Sequence, residues 1–209
     1  MKKRLFVKVC GLTSPEDAEQ AVAAGADAIG LVFWERSPRA VDVEAARRIA
    51  AAIPPPAVRV GVFVDAGAEQ IARTVEAVGL DLVQLHGNEA PPFLETLSRR
   101  AWKALRLGPG FVAADVAPWG GAAGLLLDTR VEGVPGGTGR AFDWTLAAAL
   151  RDRIGFLVLA GGLDAENVGR AIAAVRPDGV DVSSGVESAP GRKDAAKLRA
   201  FVEAARGAA

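Results

Sequence analysis

Short apolar, β-branched runs recur along the chain. They are LFVKVC at 5–10, DAIGLVF at 27–33, VRVGVFV at 58–64, DLVQLH at 81–86, WKALRL at 102–107 preceded by Ala101, GLLLD at 124–128, FLVLAGG at 156–162 and GVDVSSG at 179–185. None alternates strictly between apolar and polar positions, so they read as parallel strands buried on both faces. Helical spacing appears between them. Residues 14–24 open with Ser14 as N-cap, Pro15 at the next position and acids in the first turn, and Gly25 follows as a stop. Residues 43–53 and 68–78 repeat that style, the second ending at Gly79. Residues 164–175 begin with Asp164 and set Val168, Ile172 and Val175 on one face, and 193–206 form a last amphipathic helix.

Eight strand-like runs, each followed by a helical or connecting segment, predict an α/β fold of the (β/α)8 TIM-barrel kind, as a single domain over residues 1–209. The weakest unit is 108–120, which is short and broken by Pro and Gly. An open doubly wound sheet is the competing architecture, and the strand count disfavours it. In GADAIGLVF, GLDLVQLHG and DGVDVSSG a Gly and an Asp stand together just before a strand, a repeated helix-to-strand junction. Asp27 and Asp81 are assigned to those junctions.

Composition narrows the partners. Half the residues are apolar, enough for a sizeable core. Lys plus Arg and Asp plus Glu are equal at 25 each, so nothing favours nucleic acid or an anionic membrane as the main partner. No apolar run reaches membrane-spanning length. The start, MKKRLFVKVCG, reads as a first strand and not a signal peptide, because Lys8 interrupts a short apolar run. One cysteine cannot form an internal disulfide, which fits a reducing compartment and a cytoplasmic location. With one Cys and one His, a nitrogen- or sulfur-rich metal site is not expected, while counting leaves a carboxylate-bound Mg2+ open.

Barrels of this kind work at the C-terminal ends of their strands. Those ends carry Cys10-Gly11, then Arg36 and Arg39, Asp65, His86-Gly87, Lys103 and Arg106, Asp128, Gly161-Gly162, and Asp181 with Ser183-Ser184-Gly185. The glycine-rich ends of strands seven and eight suit a phosphate, cradled by the backbone N–H groups of Gly162, Ser184 and Gly185. Plain turn glycines are the alternative. A lone buried cysteine is usually inert packing, but Cys10 stands at the mouth with an open Gly11 beside it. A thiolate there can act as a base if nearby positive charge supports it. Asp128 follows three leucines, which would favour a retained proton and the role of general acid; a turn aspartate is the bland reading. Either Arg36 or Arg39 can clamp a carboxylate in a bidentate pair, the other being a solvated surface group. His86 can touch substrate or cap its loop. The stretch RVEGVPGGTGRAFDW reads as a lid, with Asp143 capping the helix that follows.

Together these residues resemble the phosphoribosylanthranilate isomerase family. The resemblance is carried by KVCGLTSPEDA, GADAIGLVF, SPRAV, VGVFV, VQLHGNE, LLLDT, GGTGRAFDW, LAGGLDAENV and GVDVSSGVESAPGRKD, in order from residue 7 to 194. It implies a (β/α)8 barrel and a cofactor-free, metal-free Amadori rearrangement of a small phosphosugar–anthranilate substrate. Transferred residue by residue, it puts the general base at Cys10 and the general acid at Asp128. It puts the substrate carboxylate on Arg39, the phosphate around Gly161, Gly162, Ser184 and Gly185, and a ribose hydroxyl on Asp181. Family members are monomers or dimers, so a homodimer is among the assemblies it implies.

Three rival readings fit less well. Indole-glycerol-phosphate synthase is expected to need lysine and glutamate at strand ends, yet strand six ends in Asp128. A metal-dependent pentose-phosphate epimerase wants several histidines. A non-catalytic phosphate-binding barrel has no use for the Cys10/Asp128 pair.

Overall fold

The structure is a computed structural model that describes residues 4–108, 110–128 and 144–209. Eight parallel strands close into a barrel in chain order: β1 Phe6–Cys10, β2 Ala28–Val32, β3 Val58–Phe63, β4 Leu82–Leu85, β5 Ala101–Arg106, β6 Gly124–Asp128, β7 Leu157–Ala160 and β8 Gly179–Val182, with β8 pairing back onto β1. Around it run α1 Pro15–Ala23, α2 Val43–Ala51, α3 Ala68–Val78, α4 Thr145–Leu150, α5 Val168–Val175 and α6 Ala195–Gly207. The expected barrel is therefore present, with every predicted strand in place.

The connections after β4 and β5 show no α-helix among the described residues, the second in keeping with the weak 108–120 unit, and two later connections differ from expectation. Only a 3-10 helix, Pro91–Thr96, links β4 to β5, and two single 3-10 turns, Ala113–Asp115 and Ala117–Trp119, link β5 to β6. Pro118 lacks the amide donor that a continuous α-helix across 113–119 would need. The segment predicted as a helix from Asp164 becomes α-helical only at Val168. Asp164 instead accepts from the amides of Glu166 at 2.9 Å and Asn167 at 3.0 Å, closing a turn. After β8 the chain adds an antiparallel hairpin, β9 Glu187–Ala189 and β10 Arg192–Lys193, where the pattern suggested only a loop. The lid stretch up to Asp143, and Asp143 itself, lie outside the described residues.

The Ser14 hydroxyl accepts from the Asp17 amide at 3.1 Å and starts α1 as its sequence indicated. The repeated junction aspartates share one role. Asp27, Asp81 and Asp178 each accept the amide of a residue on the neighbouring strand: Val7 at 2.8 Å, Arg59 at 2.8 Å and Leu157 at 2.9 Å. They tie β1 to β2, β3 to β4 and β7 to β8 at the floor of the barrel.

Strand parity divides the apolar residues. Val7, Val9, Ile29, Leu31, Leu125, Leu127, Val180 and Val182 pack outward in the main core with Ala18, Ile49, Ile71, Ala171 and Phe201 of the helices. The inward positions hold a second cluster of Trp102, Ala104, Leu126, Val158 and Ala160. Phe6, Trp102 and Phe156 plug the floor, with ring centroids 5.6–5.9 Å apart. Above this plug the inward residues become polar: Lys8, Asp181 and Gln84, then Cys10 and Asp128.

Candidate active site

The register of β1 sets the surroundings of Cys10. Lys8 pairs with Asp181 across the β1–β8 ladder, and Cys10 pairs with Gly30 across the β1–β2 ladder. Lys8 Nζ donates to Asp181 Oδ1 at 2.9 Å, with the lysine fully buried. A Cβ built on Gly30 would lie 2.7 Å from Cys10 Sγ and 3.0 Å from Lys8 Nζ. Glycine at position 30 thus leaves the room in which the thiol and the ammonium meet. Burial pushes the Cys10 thiol up, Lys8 draws it back, Asp181 raises it again, and the result lies above the ordinary thiol value of 9.0. Burial lowers Lys8, yet Asp181 and Cys10 more than offset that, so its ammonium is held more firmly than in water.

Gly11 follows at φ +76°, a conformation that side chains rarely adopt. A Cβ there would fall on Arg39 Cδ, so the arginine stem crosses the end of β1 directly over Gly11. The guanidinium is half-buried and pairs with Glu187 through two parallel bonds, Nε to Oε1 at 2.7 Å and Nη2 to Oε2 at 2.6 Å. Arg36 is exposed and stacks over Trp34 at 5.6 Å, the solvated role expected of one of the two arginines.

Opposite Cys10, Asp128 ends β6 with its side chain 22% exposed. His86, just past β4, places Nε2 3.9 Å from Asp128 Oδ2, and Gln84 lies 2.9 Å from its Nδ1. On the shorter way round the rim, β7 and β8 separate Asp128 from Cys10. The loops after those two strands interlock, because a Cβ on Gly185 would strike the Leu163 carbonyl. Gly161 and Gly162 both take positive φ, 96° and 65°. Asn167 Nδ2 holds the Gly162 carbonyl at 2.9 Å. Among the described residues no loop carbonyl accepts from the amides of Gly162, Ser184 or Gly185. That is the arrangement an anion needs.

Lys103 does not belong to this rim, which corrects the sequence expectation. Trp102 and Ala104 face inward, so Lys103 faces the helices. There it meets Glu89 at 2.6 Å and the Gly87 carbonyl at 2.6 Å, and lies 5.2 Å from the Trp119 ring. Asp65 is spent on the Asn88 amide at 2.6 Å. Sequence reasoning missed two buried residues of the site, Glu187 and Lys193. Both lie in the stretch GVDVSSGVESAPGRKD, and their position in one quoted motif was the available signal. Among the described residues no three His, Cys, Asp or Glu side chains converge in a metal-holding group, and no helix is long and apolar enough to cross a membrane.

A closed parallel barrel with its ionisable groups gathered at the C-terminal rim, beside interlocked glycine-rich loops after β7 and β8, falls in the class of (β/α)8 barrel enzymes. The family model described as N-(5'phosphoribosyl)anthranilate (PRA) isomerase matches residues 7–204. The N-(5'-phosphoribosyl)anthranilate isomerase of Pseudomonas aeruginosa strain UCBPP-PA14 is 55% identical over 201 residues, 96% of this chain and 94% of that protein. The crystal structure of phosphoribosyl anthranilate isomerase from Thermotoga maritima superimposes with a TM-score of 0.91 at 42% identity, covering 97% of this chain and 99% of that one. A structure of phosphoribosyl anthranilate isomerase in complex with reduced 1-(o-carboxyphenylamino)-1-deoxyribulose 5-phosphate has a TM-score of 0.88 at 40% identity, with coverage of 97% and 99%. The chain belongs to the phosphoribosylanthranilate isomerase family.

Proposed function

We propose that the chain converts N-(5-phosphoribosyl)anthranilate to 1-(2-carboxyphenylamino)-1-deoxyribulose 5-phosphate, an Amadori rearrangement in tryptophan biosynthesis, by general acid–base catalysis. The observation that carries this reading is the placement of Cys10 and Asp128. Each ends an inward-facing row, on β1 and β6, with the glycine loops of β7 and β8 between them.

Protonated Asp128 delivers its proton to the ribose ring oxygen, and the ring opens to an iminium. That cation acidifies the adjacent C2 proton, which the Cys10 thiolate removes to give an enolamine. Loss of the O2 proton and protonation of C1 then yield the ketone and return both groups to their starting states. In the free protein burial holds the thiol above its ordinary value. The cationic iminium supplies the further positive charge that favours the thiolate when the proton must move. Arg39 binds the anthranilate carboxylate, and the amides of Gly162, Ser184 and Gly185, with Gly161 completing the loop, bind the phosphate. Asp181 keeps one oxygen on Lys8 and turns the other to a ribose hydroxyl. His86 approaches the substrate beside the acid. No metal or organic cofactor enters these steps.

The reading places the activity in the cytoplasm, where one unpaired thiol stays reduced. A second copy of the chain is the one macromolecular partner it admits, following a Thermotoga maritima relative described as dimeric; sedimentation velocity separates monomer from dimer.

A fluorescence assay following loss of phosphoribosylanthranilate tests the proposal. We expect turnover with chelator present, and a fall in kcat of at least about 10^2 for Cys10→Ser and for Asp128→Asn, each still binding a product analogue. A folded wild-type protein without turnover would overturn the function, and full activity in either variant would remove that residue's role.

A further inference from the structure

Two charged residues behind the rim are unused by the chemistry above. Lys193, on β10, has a fully buried side chain, and its ammonium reaches three acceptors: the Cys10 carbonyl at 2.7 Å, Glu187 Oε1 at 2.9 Å and the Ser183 carbonyl at 3.2 Å. Its three protons are thereby accounted for. Glu187, on β9, takes this ammonium on Oε1 and the Nε–Nη2 edge of Arg39 on both oxygens. The Nη1 side of that guanidinium has no acceptor among the described residues, so its end-on edge remains open to a carboxylate. Arg39 therefore does not swing freely. Its side edge is bolted, and the remaining edge has one direction.

We propose that Glu187 and Lys193 are positioning residues that set the general base and the carboxylate anchor in one frame. Lys193 fixes the backbone of Cys10, Glu187 fixes the guanidinium of Arg39, and the contact between them joins the two. The geometry explains why the chain builds a hairpin after β8: it carries this pair 177–183 residues along the chain to the underside of Cys10. The hairpin also ties to α1, through the Lys193 amide and Asp17 Oδ2 at 2.8 Å. Burial lowers Lys193, with Glu187 opposing, and the Lys193 charge in turn favours the Cys10 thiolate. The charged groups facing Cys10 are Lys8 on β1, Asp181 on β8, Lys193 on β10 and Arg39 after β2.

The inference rests on the isomerase reading for its kinetic arm only. The single cysteine supplies an independent arm, since iodoacetamide alkylation against pH reads Cys10 alone. For Glu187→Gln we expect KM for phosphoribosylanthranilate to rise about tenfold with kcat within about threefold, the pattern of lost ground-state binding. For Lys193→Met we expect the alkylation profile to move up by about one pH unit, and for Lys193→Arg a return toward wild type. If Lys193→Met does not fold, Lys193→Met/Glu187→Gln, which removes both members of the buried Lys193–Glu187 pair, is measured in its place with the same expectation. Folded variants with wild-type KM and a wild-type alkylation profile would overturn the proposal. A wild type without isomerase activity would sink the functional reading, while the alkylation arm would still decide the role of Lys193.

Discussion

Lys8 and Asp181 form an ion pair sealed inside the barrel, Nζ to Oδ1 at 2.9 Å, two residues below Cys10 on β1. Taking both charges out of water is costly, and the direct contact offsets that cost only while both partners are present. Lys8→Met keeps the volume and removes the charge, leaving a carboxylate buried and unpaired. Unfolding in denaturant should show a loss of about 3–5 kcal/mol. Iodoacetamide should also alkylate Cys10 more slowly at a given pH, because the nearest cation is gone and the thiol moves further up. A variant with wild-type stability and reactivity would mean that the pair is neither a strut nor a thiolate support.

Gly11 and Arg39 make a second, steric prediction. A methyl group at position 11 faces a backbone at φ +76° and a collision with Arg39 Cδ. The conformation alone costs about 1–2 kcal/mol, and the collision must push the arginine stem off its track. Gly11→Ala should therefore copy Arg39→Ala: both should raise KM by at least about tenfold, the scale of a lost charge-assisted bond. Unchanged KM in Gly11→Ala, measured in the same fluorescence assay, would show that the stem has another route.

The Glu187 carboxyl gives a pH prediction. Burial alone would raise it, but the bonds from Arg39 and Lys193 outweigh burial and hold it below its ordinary value of 4.5. A carboxylate whose folded value is depressed contributes stability that is complete above its unfolded value and is lost as pH falls through the folded one. Acid unfolding should thus steepen below about pH 4.5. Glu187→Gln should lower stability at neutral pH and flatten that acid limb. Parallel acid limbs in chemical denaturation series would exclude Glu187 as a contributor.

The barrel itself was readable because its determinants are local. Eight short, mainly apolar runs without strict alternation read as strands buried on both faces, and glycine with aspartate marks where three of them begin. The rim was partly readable for the same reason, since the end of a run is visible in the pattern. Lys103 was misplaced although parity could have corrected it. It lies three positions from Arg106, so the two cannot share a strand face. Glu187 and Lys193 were beyond pattern reasoning. Their partners Arg39 and Cys10 are 148 and 183 residues away, and only closure of the barrel and the β9–β10 hairpin brings them together.

His86 and Gln84 present a tautomer prediction that a single resonance can check. As placed, the Gln84 amide nitrogen lies 2.9 Å from His86 Nδ1, which makes Nδ1 the acceptor and leaves the ring proton on Nε2, toward Asp128. The same placement leaves Gln84 Oε1 buried without a partner, a cost of about 1–3 kcal/mol. An N–H on Nε2 stabilises an ionised Asp128 across 3.9 Å, so this arrangement suits the carboxylate form. With the amide turned, Oε1 would accept from Nδ1–H, and Nε2 would offer a lone pair to protonated Asp128, the form that the proposed mechanism requires for ring opening. The two states differ by one proton on Asp128, the tautomer of His86 and one amide turn. The chain has one histidine, so 15N spectra of the ring report this site without ambiguity. The Nε2–H tautomer is expected in the ionised state, and Asp128→Asn, whose amide nitrogen can donate to Nε2, should shift the ring toward Nδ1–H. A ring that keeps one tautomer in both proteins would show that His86 does not respond to the acid, and would restrict it to holding the β4 loop.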